Sequence, residues 1–220
     1  MKTRKFQIIE VDGGPREAAP EQQTPRDQRK REVIAAAIDV FASDGYAAFS
    51  ARSVAKKLEV SLSTVQHYFP NREILLVETL REMGSGYIEK YRATIDSQEL
   101  SPTERLQIIV DHLLEETQRP DVRAFFFQMW ASAQHEPGVR ALLEAMTADY
   151  RLLLKNVVRQ ITPAFKDEEA AVAGTLIAAQ IEGLMVMTCF GDASLPKMKL
   201  LVSRAKQVCL DLCVQNGKPR

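Results

Sequence analysis

Residues 50–69, SARSVAKKLEVSLSTVQHYF, hold two short helical patterns almost end to end, split by a tight polar break. Few folds accept that arrangement. Ser50 is placed to cap the first pattern, because a serine hydroxyl can accept one of the amide hydrogens that a helix start leaves unpaired. Val54, Ala55 and Leu58 then form one narrow apolar stripe. Glu59-Val60-Ser61 interrupts it, with Val60 as the plug into the core. Ser61 or Ser63 caps the second pattern, whose Val65 and Phe69 point inward with Leu62 beside them. Ser63, Thr64, Gln66, His67 and Tyr68 are left facing outward. Such groups reach base edges and phosphate oxygens. The pair reads as a helix-turn-helix whose second helix reads DNA.

The flanks fit the same reading. Ile34, Ala37, Ile38 and Phe41 make a helical stripe from about Pro25 to Ser43, which Asp44-Gly45 stops. Asn71 caps a following helix that carries Ile74, Leu75, Val77 and Leu80. Together, Phe41-x-x-x-Gly45-Tyr46, Val54-Ala55-x-x-Leu58-x-Val60-Ser61 and Tyr68-Phe69-x-Asn71-Arg72-x-x-Leu75 resemble the tetracycline-repressor (TetR) family over roughly residues 27–80. That family usually has glycine where this chain has Glu59, at a position where the turn can call for positive φ. A residue with a Cβ would cost roughly 1 kcal/mol there. The resemblance implies an all-α homodimeric repressor with a ligand-binding domain.

Beyond the head, helical patterns continue. Ser101-Pro102-Thr103-Glu104 is a capping box with proline at the first helical position. Leu106, Ile109, Val110, Leu113 and Leu114 extend that helix to Arg119-Pro120. The next, Asp121 to Gln134, is dense in aromatics, and a long helix then runs to about Ile161. Helices at about 166–190 and 195–214 bring the expected number to nine, with no strand signal after residue 25. The expected class is all-α, in three parts: a flexible tail over 1–25, a helix-turn-helix DNA-binding domain over 26–75, and a ligand-binding and dimerisation domain over 76–220. Gly84 and Gly86 interrupt the helix leaving the head. They serve either close packing or a soft point between body and head.

Charge distribution agrees with that division. Residues 26–72 carry eight basic and five acidic side chains, and residues 73–220 carry 17 and 20. A modestly basic head on a slightly acidic body suits a DNA-binding module joined to a domain that does not touch DNA. Lys2, Arg4 and Lys5 offer a basic arm that could reach beside the main contact, against a default of disorder. No secretory signal is expected, since the apolar run Phe6 to Val11 is short and interrupted. Cys189, Cys209 and Cys213 lack metal-ligand spacing and read as thiols in a reducing cytoplasm. Residues 170–190 are nearly all apolar, yet Gln180 and Glu182 sit among them, which favours a helix buried on two faces over a membrane span.

No nucleophile elbow, phosphate loop or metalloprotease motif is present, so an enzyme is not expected, nor is a cofactor or metal. Candidate base-edge contacts are Ser63, Thr64, Gln66 and His67. Arg52, Ser61, Tyr68 and Arg72 are the candidates for phosphates, Arg72 beside the positive end of its own helix.

Phe127-Gln128-Met129-Trp130-Ala131-Ser132, with His135-x-Pro137 and Leu142, is similar to BetI-type regulators, which the family associates with choline. Trp130 and Tyr150 could cage a cation, with Glu115, Glu116 or Glu182 as counter-charge, or the aromatics could simply be core. The expected ligand site comprises Phe126, Met129, Trp130, Met146, Tyr150 and Glu182. The expected partners are a palindromic DNA operator, a small-molecule effector of undetermined identity, and a second copy docked through the last two helices. Ala171, Gly174, Ala178 and Gly183 would allow close approach there, and Leu201, Val208 and Leu212 supply bulk. The overall expectation is a repressor released from its operator by a ligand; the alternative is a constitutive, ligand-independent DNA-binding dimer.

Overall fold

A computed structural model describes residues 24–85, 91, 94–95, 97–189 and 196–214. The basic arm Lys2, Arg4 and Lys5, and Gly86, lie outside the described residues. Nine α-helices occur among the described residues: α1 (Pro25–Ala48), α2 (Ala51–Lys57), α3 (Leu62–Tyr68), α4 (Arg72–Gly84), α5 (Pro102–Glu116), α6 (Pro120–Ala133), α7 (Pro137–Ile161), α8 (Asp167–Met187) and α9 (Met198–Asp211). The fold is all-α. Two compact units do not follow chain order. Among the described residues, the first combines those before 86 with Phe125–Glu144, and the second holds those from 91 to 124 and from 145 to 214. The segment bearing Trp130 therefore packs in the same unit as the helix-turn-helix.

In the first unit, Thr24 caps α1 and exchanges hydrogen bonds with Asp27 in a capping box. Gly45 breaks the helical dihedrals inside α1 at φ 74°, as Asp44-Gly45 suggested. The Phe41 and Phe49 rings meet edge to face at 5.7 Å, and Val54, Val65, Phe69, Leu75, Leu76 and Leu80 are buried. Ser50, Ser61 and Asn71 cap α2, α3 and α4. Each cap lets a side-chain oxygen satisfy an amide that the helix start would otherwise leave unpaired.

Glu59 holds φ 57°, the left-handed conformation that glycine takes without penalty. Its side chain is exposed, so the backbone alone decides the effect of replacing it. Glu59→Gly is expected to stabilise the protein by about 0.5–1 kcal/mol, because the left-handed cost at a Cβ-bearing residue exceeds the extra chain entropy of glycine. A urea melt whose midpoint falls instead would contradict this.

In the second unit, α5 packs on α8 and α9, and α9 also packs on α8. Leu106, Ile109, Leu114, Leu154, Val157, Ile177 and Cys209 fill that core. Burial pushes the Cys209 thiol up to about 12 and Cys213 to about 11. Both stay protonated and inert at neutral pH, because the thiolate is the nucleophile.

α8 is long and apolar enough by length and composition to cross a membrane. Its Ala170, Ala173, Gly174, Ile177, Ala178, Ile181 and Met185 are buried, as in a core helix. Gly174 and Ala178 thus face their own chain rather than a partner. A Cβ on Gly174 would lie 2.8 Å from the backbone nitrogen of Lys155 on α7.

Candidate nucleic-acid interface

α3 is only seven residues long, so its orientation is set by what it buries rather than by helix propensity. Val65 and Phe69 are buried, while Ser63, Gln66 and His67 are exposed and Thr64 and Tyr68 half-buried. The polar face anticipated from spacing is therefore outward.

At the start of α3, the Ser61 hydroxyl accepts from the Thr64 amide at 3.2 Å. It also lies 2.8 Å from both the Ser63 and Thr64 hydroxyls. This small hydroxyl cluster can turn to donate or accept as a neighbouring group demands. The His67 and Tyr68 rings meet edge to face at 5.0 Å.

Beside α3 opens a cleft of about 370 Å³ lined by Ser50, Arg52, Leu62, Gln66, Asn71 and Arg72, among others. Arg52, Gln66 and Asn71 are exposed. The cleft thus combines a cation with hydrogen-bonding groups, the mixture that engages a phosphate backbone.

Arg72 is placed differently from the other candidates. Its Nε donates to the Phe49 carbonyl at 3.0 Å and its Nη2 to the Tyr46 carbonyl at 3.1 Å. Nη1 donates to the Glu136 carboxylate in an ion pair and lies 3.4 Å from the Tyr46 hydroxyl. The guanidinium also stacks 4.4 Å from the Tyr46 ring centre. Arg72 lines the cleft, but most of its donors point into the protein.

Gln128 and Glu136 are polar residues of this unit that sequence reasoning passed over. Gln128 Oε1 accepts from the Tyr46 amide at 2.9 Å, and the Tyr46 hydroxyl donates to Glu136 at 2.8 Å. The Gly138 amide donates to Glu73 at 2.7 Å.

The residues anticipated for a ligand divide between the units. In the first, Met129 is fully buried and Phe126 and Trp130 are half-buried, with their ring centres 6.1 Å apart. Phe127 stands 5.8 Å from Trp130. In the second, Met146, Tyr150 and Glu182 are half-buried. Burial raises the Glu182 carboxyl above the ordinary glutamate range, and the charge of Arg151 opposes it. Glu116 is almost wholly buried, with His112 Nε2 3.3 Å and Arg119 4.0 Å from its Oε1.

Comparison with known proteins covers both the head and the C-terminal helices. Residues 33–79 match the bacterial regulatory proteins of the tetR family. Residues 102–211, half of the chain, match the C-terminal domain of BetI-type transcriptional repressors. The HTH-type transcriptional regulator BetI of Klebsiella pneumoniae is 29% identical over 174 residues, covering 77% of this chain and 86% of the relative. BetI of Proteus mirabilis is 26% identical over 192 residues, covering 84% and 93%.

Among solved structures, a transcriptional regulator from Pseudomonas aeruginosa PAO1 superposes with a TM-score of 0.73 at 19% identity, covering 87% of this chain and 93% of that one. A regulator from Saccharomonospora viridis, solved in complex with choline, gives 0.67 at 21% identity, covering 88% and 99%. At these identities the two structures speak for the fold. The chain belongs to the TetR family of bacterial regulatory proteins, as a DNA-binding transcriptional repressor with a BetI-type C-terminal domain.

Proposed function

We propose that the protein binds a pseudo-palindromic operator as a homodimer, reads it with α3, and leaves it when a small organic molecule engages the body. The observation that carries the reading face is the split of α3 into a buried Val65/Phe69 side and an exposed Ser63/Gln66/His67 side. Ser63, Thr64, Gln66 and His67 address base edges, the Thr64 methyl being able to touch thymine. Arg52, Ser61 and Tyr68 address phosphates across the cleft. Arg72 supports them from behind, since its donors are spent on Phe49, Tyr46 and Glu136. Two heads on a two-fold axis place half-sites on one face of the duplex.

Gln66→Ala should lose discrimination at one base pair per half-site, with about 1–3 kcal/mol at stake per bidentate contact. Arg52→Ala should weaken binding to every duplex and reduce the salt slope by roughly 0.9 for each phosphate it no longer neutralises. Selection from a random duplex pool, followed by affinity measurements across salt, separates the two effects. An unchanged site after Gln66→Ala would move the reading face elsewhere.

The dimer reading rests on the second face of α8. Val172, Thr175, Leu176, Ala179, Val186 and Met187 are exposed at helical spacing, and a Cβ on Gly183 would meet nothing within 4 Å. Leu200 and Val208 of α9 are exposed as well. An apolar stripe this long, left open to water, is what a partner helix covers.

For the effector, the aromatic run of α6 supports an organic cation, because Trp130 offers an indole with the Phe126 and Phe127 rings near it. The choline bound by the Saccharomonospora viridis relative is one such cation. Trp130 is the only tryptophan, so its emission reports binding without a label. Choline and tetramethylammonium titrated against Trp130 emission and operator release test the class. Neither binding nor release with these cations, alongside release by an uncharged metabolite, would reassign the effector.

A further inference from the structure

Tyr46 has each of its polar atoms held from outside its own turn. Its amide donates to Gln128, its carbonyl accepts from Arg72, and its hydroxyl donates to Glu136. Tyr46 stands one residue after the left-handed Gly45 and four before Ser50, the cap of α2. The segment 45–49 therefore sets how α2, and α3 behind it, leave α1. Phe49 ends that segment and is pinned twice, by its ring on Phe41 and by its carbonyl on Arg72.

Two of the groups that hold this turn, Gln128 and Glu136, come from α6 and the turn after it. They lie 82 and 90 residues along the chain from Tyr46. A third tie is close by. A Cβ on Gly138 would sit 2.9 Å from both Glu73 Oε1 and Val77 Cγ2, so the 136–138 turn lies directly against α4. Trp130 falls between Gln128 and Glu136 in the sequence.

We propose that Gln128 and Glu136 are positioning residues for operator recognition, acting on α2 and α3 through Tyr46 and Arg72. This rests on the reading of α3 as the operator-reading helix and assigns Arg72 an inward-facing, organising role. Charge-assisted bonds of this kind are stronger than neutral ones, and removing one partner leaves the other unsatisfied. The clamp also predicts reciprocity. If the segment carrying Trp130 holds the reading helix, operator binding is expected to alter the surroundings of Trp130.

The test uses the full chain and a duplex that the wild type enriches from a random pool. Affinity is read by anisotropy of labelled duplex across a salt series, and Trp130 emission is read during the same titration with unlabelled duplex. Three variants are compared: Glu136→Gln combined with Gln128→Ala, Tyr46→Phe, and Arg72→Gln. Tyr46→Phe keeps the ring under Arg72 and removes only the hydroxyl link, which guards against a variant that fails to fold.

The wild type is expected to change its Trp130 emission with the same midpoint as duplex binding. The double variant should lose roughly 10- to 100-fold in affinity for the enriched duplex, the scale of one or two charge-assisted bonds, with its salt slope unchanged. Its Trp130 response should vanish, and Tyr46→Phe should fall between. A merely structural role would lower the melting temperature and leave the Trp130 response intact.

The proposal is overturned if the double variant and Tyr46→Phe bind the enriched duplex as the wild type does. It is equally overturned if Trp130 responds the same with and without the clamp. A salt slope reduced by about 0.9 in Arg72→Gln alone would make Arg72 a phosphate ligand instead. If the wild type enriches a duplex but Gln66→Ala selects the same site, the reading of α3 has failed while the clamp is still judged by Trp130.

Discussion

Leu176→Arg is expected to yield a monomer of 24.7 kDa whose operator affinity is lower by about 10²- to 10⁴-fold. The reasoning begins with exposure. Leu176 is 47% exposed and Met187 73% exposed on a helix whose opposite face is core. Adding a guanidinium there costs the isolated subunit little, because the side chain already meets water. In a dimer built on this stripe the same charge would be buried without a partner, which costs several kcal/mol. An obligate pair of this kind buries on the order of 2,000 Å² or more, so one central charge is enough to open it. Each half-site would then be met by an untethered head, and the gain from effective concentration would disappear. Light scattering gives the mass and anisotropy the affinity. A variant that stays dimeric would move the interface off α8.

What was legible in the sequence was local. Ser50, Asn71 and Ser101, and Ser61 as one of two candidates beside Ser63, could be read as caps because each acts within three residues of itself. The left-handed Glu59 was legible only through the resemblance, because the family usually has glycine at that turn position. Val65 and Phe69 were legible from spacing alone.

The rest depended on partners far apart along the chain. Arg72 reads from the sequence as a phosphate candidate at the start of α4; its ion-pair partner Glu136 lies 64 residues away, and no local pattern points to that contact. Gln128 carried no signal of its own within an aromatic run. Orientation failed where composition was flat. α8 is apolar around most of its circumference, so nothing in its periodicity says which small residues meet the core and which the solvent.

Gly174 is where that ambiguity has the largest consequence. Gly174→Val is expected to destabilise the fold by about 3 kcal/mol or more, since overpacking a tight site typically costs about 1–3 kcal/mol for less bulk. A Cβ at this position would meet Lys155 N at 2.8 Å, Lys155 Cα at 3.1 Å and the Leu154 carbonyl carbon at 3.2 Å. All three are backbone atoms of α7. No side-chain rotation can relieve them, so α7 and α8 would have to move apart and loosen Leu154, Val158 and Ile177 with them. Helix propensity pulls the other way for Gly174→Ala, by about 1 kcal/mol. The backbone clash is expected to outweigh it, leaving a smaller net loss.

Gly183 supplies the control on the same helix. With nothing within 4 Å of its would-be Cβ, Gly183→Ala in the Leu176→Arg monomer should gain up to about 1 kcal/mol from propensity alone. In the dimeric protein the same methyl would meet the partner, and the gain should shrink or reverse. Urea melts of these variants in both backgrounds decide the matter. A Gly174→Val protein as stable as the wild type would mean that α7 and α8 are not packed backbone to backbone. A Gly183→Ala gain identical in monomer and dimer would take Gly183 out of the interface.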